Sequence, residues 1–171
     1  MKYLPIENQL FIQNRALFFN KMDGNAIAIF NSNDIMPTNA DGTMPFRQNN
    51  DLFWLSGVDQ EESVLVIFPN QPDENMREVL FLKETNEHIA IWEGAKLTKD
   101  GAFKASGIKT VFWLDELENK LDEMISKCDS IYLNKNIHSR SASDVQTRDD
   151  RFRNMMTDKY SNKAIKEIAP I

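Results

Sequence analysis

At 171 residues the chain is long enough for one domain with an ample core, and its 42% hydrophobic content is ordinary for a globular protein. A formal net charge of −6 argues against general affinity for nucleic acid, which calls for an excess of Lys and Arg. The single cysteine, Cys128, excludes an internal disulfide framework, no apolar run approaches the roughly 18–20 residues of a membrane span, and residues 1–8 lack a signal peptide's apolar centre; the expectation is a soluble, cytoplasmic protein.

Pro5, Ile6, Leu10, Ala16, Leu17 and Phe18 predict an opening amphipathic helix that ends near Met22, before the turn signal Asp23-Gly24. Residues 25–31 are short, apolar and bounded by turn residues, as a buried strand should be. A loop follows over 31–42, rich in Asn, Asp, Ser and Pro. Leu52, Phe53, Trp54 and Leu55 then read as an aromatic strand, and 63–68 and 78–83 as two more, joined as a hairpin with a lengthened loop.

Residues 84–97 change character, charged but carrying Ile89, Ile91 and Trp92. Thr98 suits the N-cap of a helix over 99–106, and Gly107 its C-cap. A strand is expected over 109–114. Asp115 is placed to cap a helix over 116–127, in which Leu117, Leu121, Met124 and Ile125 recur at helical spacing. Residues 130–133 read as a closing strand. Strands first in a meander and later alternating with helices predict a mixed sheet flanked by helices. Beyond Asn134 the chain is polar, with a helix expected over 143–156 whose Arg148, Asp149, Asp150, Arg151 and Arg153 read as a solvated face. A stretch with so little apolar content needs something beyond its own sheet to pack on.

The most informative stretch is 41–57. Asp41-Gly42 is a turn signal, Pro45 bars a helix through the middle, and Phe46, Arg47, Gln48, Asn49, Asn50 and Asp51 crowd against the apolar run from Leu52. If the segment is buried, Arg47 and Asp51 need partners, because an unpaired buried charge costs several kcal/mol. Read on its own, this is a polar turn leading into a core strand, with Arg47 ion-paired to a nearby carboxylate.

Asp41, Pro45-Phe46-Arg47-Gln48-Asn49, Asp51 and Trp54-Leu55-Ser56-Gly57 resemble the signature of the amino-terminal domain of Xaa-Pro aminopeptidase (aminopeptidase P), with Met44 in place of the usual aromatic before the proline. Trp92-Glu93-Gly94-Ala95-Lys96-Leu97 is similar to the family's second segment, Ala95 replacing its first arginine. Thr147-Arg148, Arg151-Phe152 and Ala169-Pro170-Ile171 look like the approach to its linker.

The resemblance implies a ribonuclease-H-like, three-layer α/β fold with a mixed sheet of about six strands over 1–134, and a polar helical segment and linker over 135–171. It also implies a missing catalytic domain that holds two manganese-type ions and cleaves the bond before proline. This chain would then serve oligomer assembly and shape the substrate cleft, with its own catalytic domain, neighbouring subunits and proline-containing peptides as partners. The matched Asp41 and Trp92 are the implied substrate-binding residues. An indole face packs well on a proline ring, and a carboxylate can orient an N-terminal amine.

The residues themselves offer no catalytic centre. His88 and His138 have no carboxylate at ligand spacing and read as surface or hydrogen-bonded histidines. Cys128 precedes Asp129, which disfavours a thiolate; Ser56-Gly57 is no nucleophile elbow; and Asp59, Glu61 and Glu62 suit a solvated turn better than a metal site. The expectation is therefore a chain inactive by itself, without a bound cofactor. A free-standing peptide or partner-binding module is the alternative, with Asp41, Phe46 and Trp92 lining its pocket. A nuclease rests on fold analogy alone and lacks the carboxylate cluster and basic surface it needs.

Overall fold

The computed structural model describes residues 4–138, 140–141, 143 and 145–169. Expectations that touch Met1, Lys2, Tyr3, Ser139, Ala142, Asp144, Pro170 and Ile171 lie outside the described residues.

Six strands form one mixed sheet in the order β4-β3-β2-β1-β5-β6. They are β1 (Ala26–Asn31), β2 (Ser63–Ile67), β3 (Glu78–Leu82), β4 (Thr110–Trp113), β5 (Ser130–Leu133) and β6 (Ala164–Glu167). β2 runs antiparallel to both β1 and β3, pairing Phe30 with Leu65 and Leu65 with Leu80, whereas β4 is parallel to β3, β5 to β1, and β6 to β5. The central strands are apolar apart from one terminal residue each, Asn31, Ser63 and Glu78, because both faces are covered. Ala26, Ala28 and Phe30 of β1 face one core, with Leu65, Ile67, Leu80 and Leu82. Ile27 and Ile29 face the other, with Val64, Val66, Val79 and Phe81. Helices α1 (Asn8–Phe19), α2 (Asn50–Ser56) and α4 (Lys99–Ser106) close the first core; α5 (Leu117–Ser126) and α6 (Arg148–Lys159) close the second; α3 (Glu87–Glu93) buries no side chain. The result is the expected three-layer α/β architecture.

Several elements differ from the sequence reading. Leu52 to Leu55 is helix, not strand. The Asn49 side chain accepts hydrogen bonds from the Asp51 and Leu52 backbone N–H groups, and Gly57 ends the helix at φ 68°, so Leu52, Leu55 and Ser56 are buried at helical spacing. The strand count nevertheless stays at six, because β6 takes its place. β5 does not close the sheet but lies between β1 and β6. The helix expected over 143–156 begins only at Arg148, where Thr147 and Asp150 form a reciprocal capping box. Asp115 lies in a 3-10 turn, and α5 starts at Leu117. The polar stretch after Asn134 supplies α6 and β6, and Met156, Phe152, Tyr160 and Ile165 pack on the second core.

Candidate functional site

β1 and β5 are parallel neighbours whose chains leave in opposite directions, one toward β2 and the other toward β6. Ligand crevices in open α/β sheets form at such a switch point, outside the carboxyl ends of the strands. Here the loops after β1 and β5 enclose a cleft of about 590 Å³ walled by Arg47, Asn49, Asp51, Asn134, His138 and Asp149, among others. Arg47 and Asn33 also wall a second lobe of about 430 Å³, with Met36, Met44, Pro45, Val145 and Arg148.

The polar run of the 41–57 stretch builds this crevice. Gln48 donates from Nε2 to the backbone carbonyls of Val58 and Gln60, 3.0 and 2.8 Å away, and its Oε1 accepts from the Asn49 N–H. Asn49 caps α2 with its oxygen and donates from Nδ2 to Asp149 at 3.2 Å. Asn31, at the end of β1, donates to the other Asp149 oxygen, also at 3.2 Å. Burial pushes the Asp149 carboxyl above its ordinary value; the Asn31 hydrogen bond opposes this, and the nearby Asp51 and Asp150 reinforce it. Burial lowers the pKa of Arg148, whose Nη1 donates to Ser32 Oγ at 3.1 Å. Arg47 and Asp51 are exposed, so water solvates both and neither needs the buried partner that a core location would demand.

The two candidate substrate residues lie elsewhere. Asp41 is exposed in a short hairpin turn held by the pairing of Pro37 with Thr43. Trp92 lies on α3 and is 81% exposed, which rules out core packing as its role within this chain. Neither is among the residues walling the crevice, and no described contact joins them. Their two segments are nevertheless tied together through two glutamine side chains: Gln48 donates to the Gln60 carbonyl, and Gln60 Oε1 accepts the Leu97 N–H at 2.7 Å. Lys96 pairs with Glu61 beside this link, and Lys83 bridges Glu62 and Glu93 at 3.1 and 2.9 Å.

A family model for the N-terminal domain of aminopeptidase P matches residues 11–132. The chain belongs to that family. Among curated proteins, this aminopeptidase P N-terminal domain is 28% identical over 128 residues to the Xaa-Pro aminopeptidase of Escherichia coli, covering 74% of this chain and 29% of that protein. It is 23% identical over 139 residues to the Xaa-Pro aminopeptidase of Haemophilus influenzae, covering 81% of this chain and 31% of that one. Both relatives are thus about three times the length this chain spans. In fold, 96% of the domain superposes on 39% of a provisionally assigned aminopeptidase P from Bacillus anthracis, with a TM-score of 0.83 at 22% identity. It likewise covers 36% of the Pseudomonas aeruginosa aminopeptidase PepP, with a TM-score of 0.75 at 21% identity.

His88 is exposed on α3, and His138 Nδ1 accepts the Arg140 N–H at 3.1 Å. Burial raises the Cys128 thiol above its ordinary value. Among the described residues, no group of three or more His, Cys, Asp or Glu side chains could hold a metal ion, and no helix is long and apolar enough to cross a membrane. Sequence reasoning missed Asn31, Asp149 and Gln60, because each acquires its role from residues far away in the chain.

Proposed function

We propose that this domain is the non-catalytic N-terminal part of a metal-dependent, cytoplasmic Xaa-Pro aminopeptidase, where it serves oligomer assembly and narrows the substrate cleft. The family membership supports the placement. The observation that carries the role is Trp92: an indole 81% exposed, beside Ile91 at 74%, on a helix with no buried side chain. Large exposed aromatics of this kind are expected where a second surface covers them. Trp92 and Asp41 would reach the substrate of a catalytic domain, the indole stacking on the proline ring and the carboxylate orienting the N-terminal amine. The manganese-type ions of such an enzyme do not fit the side chains described here, so no step is assigned to metal in this domain.

The test is hydrolysis of an Xaa-Pro tripeptide with added manganese. The chain alone is expected to be inert, whereas a polypeptide joining it to a catalytic half turns over. In the joined protein, Trp92→Ala should lower kcat/KM by about tenfold or more, the scale of a lost hot-spot contact. Chelator-sensitive turnover by the chain alone would overturn the reading. A chain that stays monomeric, binds peptide by itself and gains nothing from a catalytic half would point instead to a free-standing binding module.

A further inference from the structure

We propose that the crevice at the carboxyl ends of β1 and β5 is a docking site for an extended peptide segment that presents a carboxylate beside an aliphatic side chain. The inference goes beyond the role given to Asp41 and Trp92, neither of which touches the crevice, and does not depend on it.

The carboxylate specificity comes from two arginines. Arg47 and Arg148 wall the same 430 Å³ lobe, and neither forms an ion pair among the described residues. Their neighbours on α6 are differently placed: Arg151 is bonded to both oxygens of Asp34 at 2.8 and 3.0 Å, and Arg153 to Glu167 at 2.6 Å. Asp34, the carboxylate on the wall of this lobe, is therefore already neutralised by Arg151. Neither guanidinium has a carboxylate at ion-pair distance among the described residues, although Asp34, Glu62 and Asp149 lie close enough to Arg148 to favour its charge; the chain's net charge of −6 makes the lone Arg47 the more unusual of the two. Planar guanidinium donors match a carboxylate edge, and the half-buried position of Arg148 reduces the screening of that attraction.

The apolar half of the specificity lies in the same lobe. Met36, Met44 and Val145 are 46%, 53% and 62% exposed there, beside Pro45. Methionines of this kind repack around varied aliphatic groups. The adjoining 590 Å³ lobe selects for a peptide rather than a free fatty carboxylate. It is walled by carboxamides, Asn33, Asn49, Asn50, Asn134 and Asn136. Asn49 is committed to the α2 cap and Asp149, Asn33 donates to the Arg47 carbonyl and Asn136 accepts the His138 N–H, which leaves Asn50 and Asn134 to donate and accept as a peptide unit does. Asn134 Nδ2 is buried with no acceptor. Asp51 and Asp149 share this lobe as carboxyl acceptors, which suits backbone N–H groups and disfavours a second acidic residue. The segment's carboxylate therefore belongs at the Arg47–Arg148 end.

Backbone NMR titration of the chain with acetylated, amidated tetrapeptides tests this. Ala-Ala-Leu-Glu should saturate, with shifts confined to 33–49 and 134–149, while Ala-Ala-Leu-Lys and Ala-Ala-Ser-Glu bind more weakly. Arg47→Ala should weaken Ala-Ala-Leu-Glu about tenfold, the loss of a charge-assisted hydrogen bond, without moving the urea midpoint, since Arg47 is exposed. Arg47→Glu should turn the preference toward the lysine peptide. The proposal is overturned if no peptide saturates, if the lysine peptide binds wild type equally well, if Arg47→Ala changes nothing, or if hexanoate binds as tightly as the peptide.

Discussion

One carboxamide, that of Asn49, joins the start of α2 to the crevice floor. Its oxygen accepts the Asp51 and Leu52 N–H groups while its nitrogen donates to Asp149. Asn49→Ala removes a helix cap and a bond to a half-buried carboxylate together. The expected cost is about 2 kcal/mol by urea denaturation, above a cap alone. Asp149 contributes a pH dependence. Its folded pKa lies above the unfolded value, so the native state holds the proton more tightly and this group favours folding most at low pH. Its contribution is then lost as pH rises from about 4 through the raised folded value. The stability of wild type minus that of Asp149→Asn should therefore fall over that interval; a difference that is flat or rises would contradict a raised carboxyl. The polar run 46–51 was legible as a special stretch because so many hydrogen-bonding groups abut an apolar run. Asp149 was not: on a charged helix it reads as solvated, and only the fold brings Asn31 and Asn49 to it.

Helices α2 and α4 end alike, and α1 lies against both ends. Leu55-Ser56-Gly57-Val58 and Ala105-Ser106-Gly107-Ile108 each turn the serine hydroxyl back onto its own helix, to Leu52 O and Ala102 O, both at 2.7 Å. The glycines follow at φ 68° and 75°. Arg15 of α1, fully buried, donates from Nη1 to Leu55 O at 2.8 Å and to Ser106 O at 3.0 Å, satisfying a terminal carbonyl of each helix. Its Nε lies 3.0 Å from a Glu78 carboxylate oxygen, which balances the buried charge. Arg15→Met strands both carbonyls and that carboxylate, at an expected cost of about 3 kcal/mol by urea denaturation. At Gly107 a Cβ would stand 2.6 Å from Ile12 Cδ1, in a left-handed conformation that already disfavours it. Gly107→Ala should cost about 2 kcal/mol or more in the same measurement. Gly107 was readable as a helix stop because Thr98 and the intervening residues already spelled a helix. Gly57 was not, since a four-residue apolar run fits a strand as well as a buried helical turn. Nor could Arg15 be found: on an opening helix an arginine reads as exposed, and its carbonyl partners lie 40 and 91 residues away.

At the scale of the molecule, the sheet order places β6 at the edge beyond β5, past the boundary expected at Asn134. The amphipathic pattern of α5 and the apolar runs of β1, β2 and β3 were legible because each is locally complete. β6 was not: Ala164, Ile165, Lys166 and Glu167 carry one large apolar residue, and the strand exists because β5 offers it an edge. Yet β5 is buried at every position, and α6 covers the second core with Met156 while Phe152 and Tyr160 pack against it. Cutting the chain after Asn134 would expose the edge of β5 and leave Ile27, Ile29, Ile131 and Leu133 without those neighbours on that face. A short edge strand cannot shield an apolar face by itself, and an unpaired buried-type edge invites association. The truncated 1–134 chain is therefore expected to lose the cooperative thermal transition of the 171-residue chain, or to aggregate, when both are followed by circular dichroism and light scattering. If 1–134 instead unfolds cooperatively near the same temperature, α6 and β6 are an appendage to the sheet, and the domain boundary belongs at Asn134.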